Sequence, residues 1–573
     1  MSTELRAVGE EPGVTCDREA TPTLRVENVS IAFDRDDGPR TVVQSASFEI
    51  RRGEIVGIVG ESGSGKTLLA RAIMGLLPAG ARLAQGSIHF EGRDLARLTP
   101  NERRDLRGKR MALVFQEPMA ALNPAMRIGR QIAEVLSTHT SLGEKEIRER
   151  VVAMLGRVAI AEPDACLRRF PHTFSGGMRQ RLMIASALLM RPALLIADEP
   201  TTALDCLVQK QVLELLLQLV RESGTSLLFI SHDLGLVAQF ASRVVVMERG
   251  HIVEQGEVRK VLLEPSHPYT IRLLDSLPVS TGRETGSPKE SAPLVRIESL
   301  SVHYKLPRRF PFERQRTHAA VDGLTLDVRR GETLAVVGES GSGKTTLARA
   351  VLGLVRPTGG AIDLDGYSMD SQRPADFKSV SRVARLIFQD PYAALSPRRR
   401  IGEIVAEPLI NIPGTTRTTR RERAAQALAD VGLDAGFLER YPNQLSGGQR
   451  QRVSIATALI AGPRLIVADE PVSSLDVTVQ AQVLSLFEHL QRKHGFSLLL
   501  ISHDLAVVEK VADRVAVLLR GKLVELATCH QLFSNPQHPY TRSLLSALPA
   551  LRRRESGGYE LWKPDFSVPH SRR

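Results

Sequence analysis

The chain has 573 residues, a length that predicts three or four structural units rather than a single hydrophobic core. Hydrophobic residues make up 42% and charged residues 24%, which is typical of globular proteins and excludes fibrous structures and disorder over most of the chain. The net charge of +12 is spread along the sequence and favours a solvated basic surface over a dedicated nucleic-acid or membrane site.

The first residues predict neither export nor membrane insertion. Residues 1–22 carry several acids and no apolar core of a signal peptide, so we interpret them as a disordered N-terminal segment. No apolar stretch reaches the length of about 18 residues that a membrane-spanning helix needs, and we expect a cytoplasmic protein. The cysteines, interpreted as buried or incidental thiols that form no zinc, iron–sulfur or disulfide site, are Cys16, Cys166, Cys206 and Cys529.

The same motifs occur twice, in the same order and at nearly constant spacing, which indicates a duplicated domain. "VGESGSGKT" occurs in both halves, "FSGGMRQR" recurs as "LSGGQRQR", "LLIADEP" as "LIVADEP" and "FISHD" as "LISHD". A stretch rich in Ser, Gly and Pro separates the halves and is typical of a flexible linker. We predict a first domain at 23–278, a linker at 279–293, a second domain at 294–550 and a tail at 551–573, for which disorder is favoured over docking.

Short buried strands and helices alternate within each half. "EIVGIV", "LLIAD" and "LLFIS" in the first half, like "ETLAVV", "LIVAD" and "LLLIS" in the second, are near-continuous apolar runs typical of central parallel strands. The helix-forming stretches 125–173 and 398–444 predict inserted helical subdomains. The predicted fold class is therefore α/β, with a parallel sheet in each half.

A glycine-rich loop of the form GxxxxGK[ST] follows the first buried strand of each half. Glycines let backbone N–H groups approach phosphate oxygens, and the following helix N-terminus adds a partial positive charge. A single match could be a chance glycine turn, but two matches in register predict nucleotide binding. The residues predicted to bind the phosphates are Gly60, Glu61, Ser62, Gly63, Ser64, Gly65, Lys66 and Thr67, with Gly338, Glu339, Ser340, Gly341, Ser342, Gly343, Lys344 and Thr345.

Acidic pairs close two of the predicted strands. A buried carboxylate needs a cation or hydrogen bonds, so Asp198 and Asp469 are predicted to bind Mg²⁺ together with the loop threonines Thr67 and Thr345. The next residues, Glu199 and Glu470, are predicted to polarise the attacking water as general bases. A helix-capping aspartate and a surface glutamate are the structural alternatives.

Histidine and glutamine supply two further pairs. His232 and His503 follow buried strands and are predicted to contact the γ-phosphate, the alternative being rings that bond only to backbone. Gln116 and Gln389 are predicted to offer an oxygen to Mg²⁺ and an amide to water, which makes them sensors of the nucleotide.

With these motifs present and ordered, the chain resembles the nucleotide-binding domains of ABC (ATP-binding cassette) proteins over about residues 24–278 and 294–550. The resemblance implies two tandem P-loop domains that bind ATP and Mg²⁺, each with a RecA-like core, an antiparallel β-subdomain and a helical subdomain. It also implies that each ATP lies between one glycine loop and the "SGG" segment of the other half. Those segments are Ser446, Gly447 and Gly448, facing the first loop, and Ser175, Gly176 and Gly177, facing the second.

The same resemblance implies details of each site. Phe33 and Tyr304 would stack on adenine, the alternative being aromatics packed in a β-subdomain core. Met178 replaces the glutamine of the second signature, and we expect at most a modest weakening of the second ATP site. Both glutamates are kept, so both sites are expected to hydrolyse ATP.

"HPYT" follows the last strand of both halves, within Glu264–Pro278 and Asn535–Pro549, and resembles the extension of oligopeptide and dipeptide importer ATPases. A structural brace is the alternative interpretation of this segment. The resemblance implies two transmembrane permease subunits, an extracytoplasmic peptide-binding protein as an indirect partner, and a peripheral position on the cytoplasmic face of the bacterial inner membrane, without nucleic acid. An importer of another solute, or a tandem ABC protein acting on ribosomes or DNA, stays open.

Overall fold

The computed structural model describes residues 21–34, 38–116, 118–201, 204–276, 292–305, 316–373, 375–410, 412–473, 475–548, 550–553 and 558–562. Most of the predicted N-terminal segment (1–22) and of the predicted linker (279–293) lies outside these residues, as does the tail from residue 563. Within the described ranges, no helix is long and apolar enough to cross a membrane.

Two sheets form the first half. Its strands are β1 (Leu24–Phe33), β2 (Arg40–Ile50), β3 (Ile55–Val59), β4 (Ala81–Phe90), β5 (Arg93–Asp94), β6 (Met111–Val114), β7 (Leu194–Asp198), β8 (Ser226–Ile230), β9 (Arg243–Glu248) and β10 (His251–Glu257). An antiparallel sheet has the order β2-β1-β4-β5, and a six-stranded sheet has the order β10-β9-β3-β8-β7-β6. The strands of the larger sheet are parallel except β10, which pairs antiparallel with β9.

Helices surround the larger sheet and form an insertion between β6 and β7. They are α1 (Lys66–Ile73), α2 (Pro100–Leu106), α3 (Pro118–Ala121), α4 (Ile128–His139), α5 (Glu144–Arg157), α6 (Pro163–Leu167), α7 (Gly176–Leu188), α8 (Cys206–Ser223), α9 (Leu234–Phe240) and α10 (Pro268–Asp275). Two 3-10 turns, Leu95–Arg97 and Pro171–Thr173, and a π-helical turn, Arg259–Leu263, complete the half.

The second half repeats this arrangement. Its strands are β11 (Pro293–Lys305), β12 (Thr317–Arg329), β13 (Thr333–Val337), β14 (Gly359–Leu364), β15 (Tyr367–Asp370), β16 (Ala384–Ile387), β17 (Leu465–Asp469), β18 (Ser497–Ile501), β19 (Arg514–Leu519) and β20 (Lys522–Thr528). The two sheets have the orders β12-β11-β14-β15 and β16-β17-β18-β13-β19-β20.

The helices of the second half follow the same plan. They are α11 (Lys344–Val351), α12 (Phe377–Val383), α13 (Pro391–Ala394), α14 (Ile401–Ala406), α15 (Arg417–Asp430), α16 (Gly447–Leu459), α17 (Val477–His494), α18 (Leu505–Val511), α19 (Cys529–Ser534) and α20 (Pro539–Ser546). The 3-10 turns are Glu407–Leu409, Ala435–Glu439 and Pro442–Gln444.

The apolar runs form the central strands because both faces of the larger sheet are covered, in the first half by α7–α9 on one face and by α1 with the antiparallel sheet on the other. Every residue of β3, β8, β13 and β18 is buried. The predicted α/β class with two tandem domains is confirmed, and α4–α6 and α14–α15 lie within the predicted helical insertions. Since parallel strands end at one edge, the loop after β3, the end of β7 and the turn after β8 meet there.

The C-terminal segment differs from the prediction. The sequence favours a disordered tail from residue 551, but β21 (Ala550–Arg553) and β22 (Tyr559–Trp562) form an antiparallel hairpin. Leu551 and Tyr559 are buried in the core of the first half, and the Tyr559 hydroxyl donates to Asp275 Oδ1 at 2.8 Å. Strand pairing puts these two apolar side chains on one side of an otherwise arginine-rich segment, which composition alone does not reveal.

Candidate functional site

The first site begins at the turn between β3 and α1, where the backbone passes too close to its neighbours for any residue but glycine. A Cβ on Gly60 would lie 2.1 Å from the Met247 carbonyl oxygen, and one on Gly338 would lie 2.2 Å from that of Leu518. The loop that follows curls around the ammonium group of its own lysine. Lys66 Nζ donates to the Gly60 carbonyl at 2.7 Å and the Glu61 carbonyl at 2.8 Å.

The second loop has the same geometry. Lys344 Nζ donates to the Gly338 carbonyl at 2.7 Å and the Glu339 carbonyl at 2.8 Å. Burial lowers the pKa of both lysines, while nearby carboxylates oppose that change. A phosphate group placed in the loop would supply the negative charge that a buried ammonium group needs.

Each loop threonine faces the aspartate at the end of a central strand. The Thr67 hydroxyl donates to Asp198 Oδ1 at 3.1 Å, and Thr345 makes the equivalent bond to Asp469. Burial raises the pKa of both aspartates, and the charge of the adjacent glutamate adds to the rise. Hydroxyl and carboxylate oxygens beside a phosphate loop are the ligands that Mg²⁺ prefers, so these residues fit a magnesium ion.

Each predicted catalytic glutamate is contacted by the predicted sensor glutamine and histidine. The Gln116 amide donates to Glu199 Oε2 at 2.9 Å, and His232 Nδ1 lies 3.3 Å from the same oxygen. In the second half, the Gln389 amide donates to Glu470 Oε2 at 2.7 Å, and His503 Nδ1 lies 3.0 Å from Glu470 Oε1. The histidines therefore bond to a carboxylate and not only to backbone.

Both glutamates adopt a backbone conformation that is unusual for a residue with a side chain. Glu199 has φ of 46° and Glu470 has φ of 49°, in the left-handed region, and each amide donates to a strand of the central sheet, at Ile230 and Ile501. Such a conformation costs about 1–3 kcal/mol and persists only where the surrounding structure imposes it. Here it turns the carboxylate toward the loop that precedes α1 or α11.

The His503–Glu470 pair has shifted pKa values on both sides. Burial opposes the charged imidazole, but the hydrogen bond and charge of Glu470 outweigh it, and the pKa of His503 is raised. Burial also opposes the charged carboxylate, but the bond from His503 outweighs it, and the pKa of Glu470 is lowered. The raised pKa of His503 and the lowered pKa of Glu470 therefore favour an ion pair at mildly acidic pH.

This pair predicts a pH-dependent stability of the nucleotide-free, Mg²⁺-free protein. His503 contributes its full share to the free energy of unfolding below about pH 6.5, the pKa of an imidazole in the unfolded chain. That share is lost as the pH rises through the higher pKa that His503 has in the folded protein. The contribution of Glu470 is present above the unfolded carboxyl pKa of about 4.3 and is lost as pH falls through the lower folded value. His503→Gln should therefore lower the melting temperature most near about pH 5.5 and least above about pH 8.

Melting curves of His503→Gln and of the exposed control His530→Gln across this pH range check the prediction. A destabilisation by His503→Gln that is the same at every pH would contradict it.

The signature serines lie exposed at helix N-termini. Ser446 accepts the Gln449 amide at 3.3 Å, and the Gln449 side chain accepts the Ser446 amide at 3.0 Å, which forms a capping box. Ser175 caps α7 through the Met178 amide at 3.4 Å, but the Met178 side chain has no oxygen to return the bond. The difference between the signatures is thus one hydrogen bond, and its effect on the second ATP site stays a prediction.

Contacts between the halves connect one site with the other. Asp205, which caps α8, accepts the Ser340 amide of the second glycine loop at 3.1 Å, and the Cys206 thiol donates to the His503 carbonyl at 2.8 Å. Across the same interface, Asp476 lies near enough to Lys66 to oppose the effect of burial on its pKa. A cavity of about 220 Å³ between the halves is lined by Glu199, His232, Glu470 and His503.

Some of these residues are absent from the sequence-based prediction. The sequence-based prediction does not include Asp205, Cys206 or the tyrosines of "HPYT", Tyr269 and Tyr540. The recurrence of "LD" and "HPYT" in both halves is the sequence signal that could have identified Asp205 and the tyrosines. The aromatic residues Phe33 and Tyr304 lie at the ends of β1 and β11; Phe33 is half-buried and Tyr304 is exposed. The exposure of Tyr304 argues against packing in the β-subdomain core, the half-burial of Phe33 decides nothing, and adenine stacking stays a prediction for both.

Comparison with known families decides the assignment. A family model described as ABC transporter matches residues 43–202 and 321–473, which together make up more than half of the chain. The chain belongs to the ABC transporter family. A second model, described as the oligopeptide/dipeptide transporter C-terminal region, matches this ABC protein at residues 253–298 and 524–567.

Two curated ABC proteins are similar over nearly their whole length. The peptidoglycan transport ATP-binding protein YejF of Agrobacterium fabrum is 44% identical over 92% of this chain and 96% of its own. The glutathione import ATP-binding protein GsiA of Escherichia coli K12 is 42% identical over 93% of this chain and 90% of its own. Among solved structures, a match is the dimeric ATP-binding cassette MJ0796 bound to ADP and Pi. The aligned region covers 41% of this chain and 98% of the MJ0796 chain, with 28% sequence identity and a TM-score of 0.37.

These findings confirm the predicted family and enzyme class. The ABC protein binds and hydrolyses ATP and is the ATP-binding subunit of an importer of the oligopeptide/dipeptide family, which works with membrane permease subunits.

Proposed function

We propose that this ABC ATPase powers the import of short peptides by hydrolysing ATP at two composite sites. The single observation that supports the peptide class is the oligopeptide/dipeptide transporter region, which is present in both halves. The relative named for glutathione import carries a tripeptide, and the other is named for peptidoglycan transport. Glutathione is a tripeptide and peptidoglycan contains short peptides joined to sugars, so both names are compatible with a substrate that carries a short peptide.

In the proposed mechanism, the first site holds ATP between the loop Gly60–Thr67 and the segment that starts at Ser446. Lys66 keeps its bond to the Gly60 carbonyl and binds the β- and γ-phosphates with its remaining N–H donors, and Glu199 orients and polarises the attacking water. His232 and Gln116, both bonded to that carboxylate, would report the γ-phosphate to it. When bound, Mg²⁺ would neutralise phosphate charge beside Thr67 and Asp198.

The second site uses the equivalent residues of the other half. Its loop Gly338–Thr345 already touches Asp205 of the first half, and α7, whose N-terminus carries Ser175, packs against α8, which Asp205 caps. The second loop is thus in contact with the first half, near the helix that carries Ser175. ATP would draw the halves closer because its γ-phosphate gains ligands from both only when they meet.

Composite sites predict an effect that crosses between the halves. Ser446→Ala is expected to weaken ATP binding about 3- to 10-fold at the loop that contains Lys66, because one hydrogen bond to phosphate is lost there, and to leave the Lys344 loop unchanged. Photolabelling with 8-azido-ATP followed by peptide mass mapping measures each loop separately. Ser175→Ala is the matched control and should give the reverse pattern, whereas weakening within the mutated half would contradict the arrangement.

The transport assignment predicts partners in the membrane. We propose that two permease subunits hold the protein at the cytoplasmic face of the bacterial inner membrane, with a peptide-binding protein on the other side. Purification from membranes in mild detergent should recover the permeases, and cells that express the whole system should accumulate a labelled di- or tripeptide. The Glu199→Gln, Glu470→Gln double variant should lose that uptake. Uptake of a sugar but no peptide, or recovery of ribosomes or DNA, would overturn the proposal.

A further inference from the structure

The "HPYT" segment of each half contacts the glycine loop, a contact that a brace at the end of the last strand would not need. The Glu61 amide donates to the Tyr269 hydroxyl oxygen at 3.0 Å, and the Glu339 amide donates to the Tyr540 hydroxyl oxygen at 2.8 Å. The two bonds join residues more than 200 positions apart and occur at the same place in both halves. Because the same hydrogen bond occurs in both halves, we do not interpret it as an incidental contact.

The peptide unit that each tyrosine contacts is also the unit that holds the loop lysine. In the Gly60–Glu61 peptide, the N–H bonds to Tyr269 and the C=O accepts from Lys66 Nζ at 2.7 Å. The Gly338–Glu339 peptide is held in the same way, between Tyr540 and Lys344 at 2.7 Å. A peptide fixed on both sides cannot rotate, so the carbonyl keeps its direction toward the lysine.

The tyrosines are themselves firmly held. His267 and His538 cap α10 and α20 by accepting the tyrosine amides at 3.2 and 3.1 Å. The carboxylate of Glu254 accepts the Ser266 and His267 amides of the turn before α10. Glu525 does the same for the turn before α20. A support of this kind holds the hydroxyl within reach of the loop.

The hydroxyl also stays in its neutral form. Burial raises the pKa of Tyr269 to about 12, so the group accepts the Glu61 amide unchanged over the physiological pH range. Tyr269 is 3% exposed, which keeps water from replacing its hydroxyl at that amide.

We propose that Tyr269 and Tyr540 are positioning residues for ATP, which act on Lys66 and Lys344 through the peptide that each tyrosine holds. The inference rests on the proposed role of the glycine loops as phosphate sites. A pre-organised loop binds the ground state and the transition state equally well, so loss of the hydroxyl raises KM and leaves kcat nearly unchanged.

The test is steady-state ATP hydrolysis by the full chain carrying Tyr269→Phe and Tyr540→Phe together. We expect KM for ATP to rise about 3- to 10-fold, the effect of one lost hydrogen bond, with kcat within about twofold of the wild type. Tyr559→Phe is the matched control, because its buried hydroxyl bonds to Asp275 and not to a glycine loop. It should leave KM unchanged.

Single variants and melting curves make the test specific. Tyr540→Phe alone should weaken 8-azido-ATP labelling of the second loop only, and Tyr269→Phe that of the first only. An unchanged KM, with a lower melting temperature of the nucleotide-free double variant, would mean a structural brace and would overturn the inference. Lys66→Ala and Lys344→Ala distinguish a failure of the tyrosine inference from a failure of the proposed phosphate sites. If these lysine variants lose ATP binding while the tyrosine variants keep the wild-type KM, the loops bind phosphate and only the tyrosine inference fails. If the lysine variants bind ATP normally, the site assignment fails as well.

Discussion

Replacing Glu199 and Glu470 together with glutamine is expected to stop ATP turnover and to preserve ATP binding. Glutamine keeps the shape of the side chain and still bonds to the neighbouring glutamine or histidine, but it does not take a proton from the attacking water. Loss of a positioned general base costs about 100- to 10,000-fold in rate. Phosphate release should fall by that factor, while equilibrium binding of ATP should stay within a few-fold of the wild type.

A double variant of two exposed glutamates, Glu149→Gln with Glu214→Gln, is the control for the loss of two negative charges. It should hydrolyse ATP at the wild-type rate. The two single variants at Glu199 and Glu470 measure the share of each site, because both acids have the same surroundings in the two halves. Turnover by the Glu199→Gln, Glu470→Gln protein at more than about a tenth of the wild-type rate would show that neither glutamate is the base.

Replacing Lys66 and Lys344 together with alanine is expected to abolish ATP binding at working concentrations. Lys66 and Lys344 are buried, at 6% and 7% exposure of the residue, and each ammonium group donates to two loop carbonyls that the triphosphate would approach. A hydrogen bond to a charged group contributes about 1.5–3 kcal/mol, which corresponds to about a 10- to 100-fold loss of affinity for each site. Calorimetric titration with ATP measures this loss directly.

The control for this double variant removes two lysines from the surface. Lys145→Ala with Lys378→Ala takes one exposed lysine from each half and should bind ATP like the wild type. Because the loop carbonyls lose their donor when the buried lysines are replaced, melting curves of both proteins are needed to show that the loops stay folded. Unchanged affinity in a folded Lys66→Ala, Lys344→Ala protein would contradict the phosphate role of the loops.

The sequence predicted the local geometry of the sites well, since short motifs determine it. The glycine loop, the acidic pair and the histidine each follow a central strand, and the common edge of a parallel sheet brings them together. The contacts of Gln116 and His232 with Glu199 show that the fold brings these three predicted site residues together, while their roles toward Mg²⁺, water and the γ-phosphate stay predictions. Periodicity and motif spacing were sufficient here because each element is defined within about ten residues.

Long-range contacts could not be predicted in the same way. The bond from Glu61 to Tyr269, and the one from Ser340 to Asp205, join residues that only the complete fold brings together. Periodicity carries no information about such pairs. The recurrence of "HPYT" marks the segment in both halves, but neither its composition nor its spacing indicates a hydrogen bond to the glycine loop.

The C-terminal hairpin brings the chain back from the second half to the first. Leu551 and Tyr559, which follow the second half in sequence, complete the packing of a core that the first half forms. If a protease cut the chain between residues 276 and 292, the hairpin would still hold the two fragments together through noncovalent packing. Cleavage of the linker alone would therefore not separate the halves.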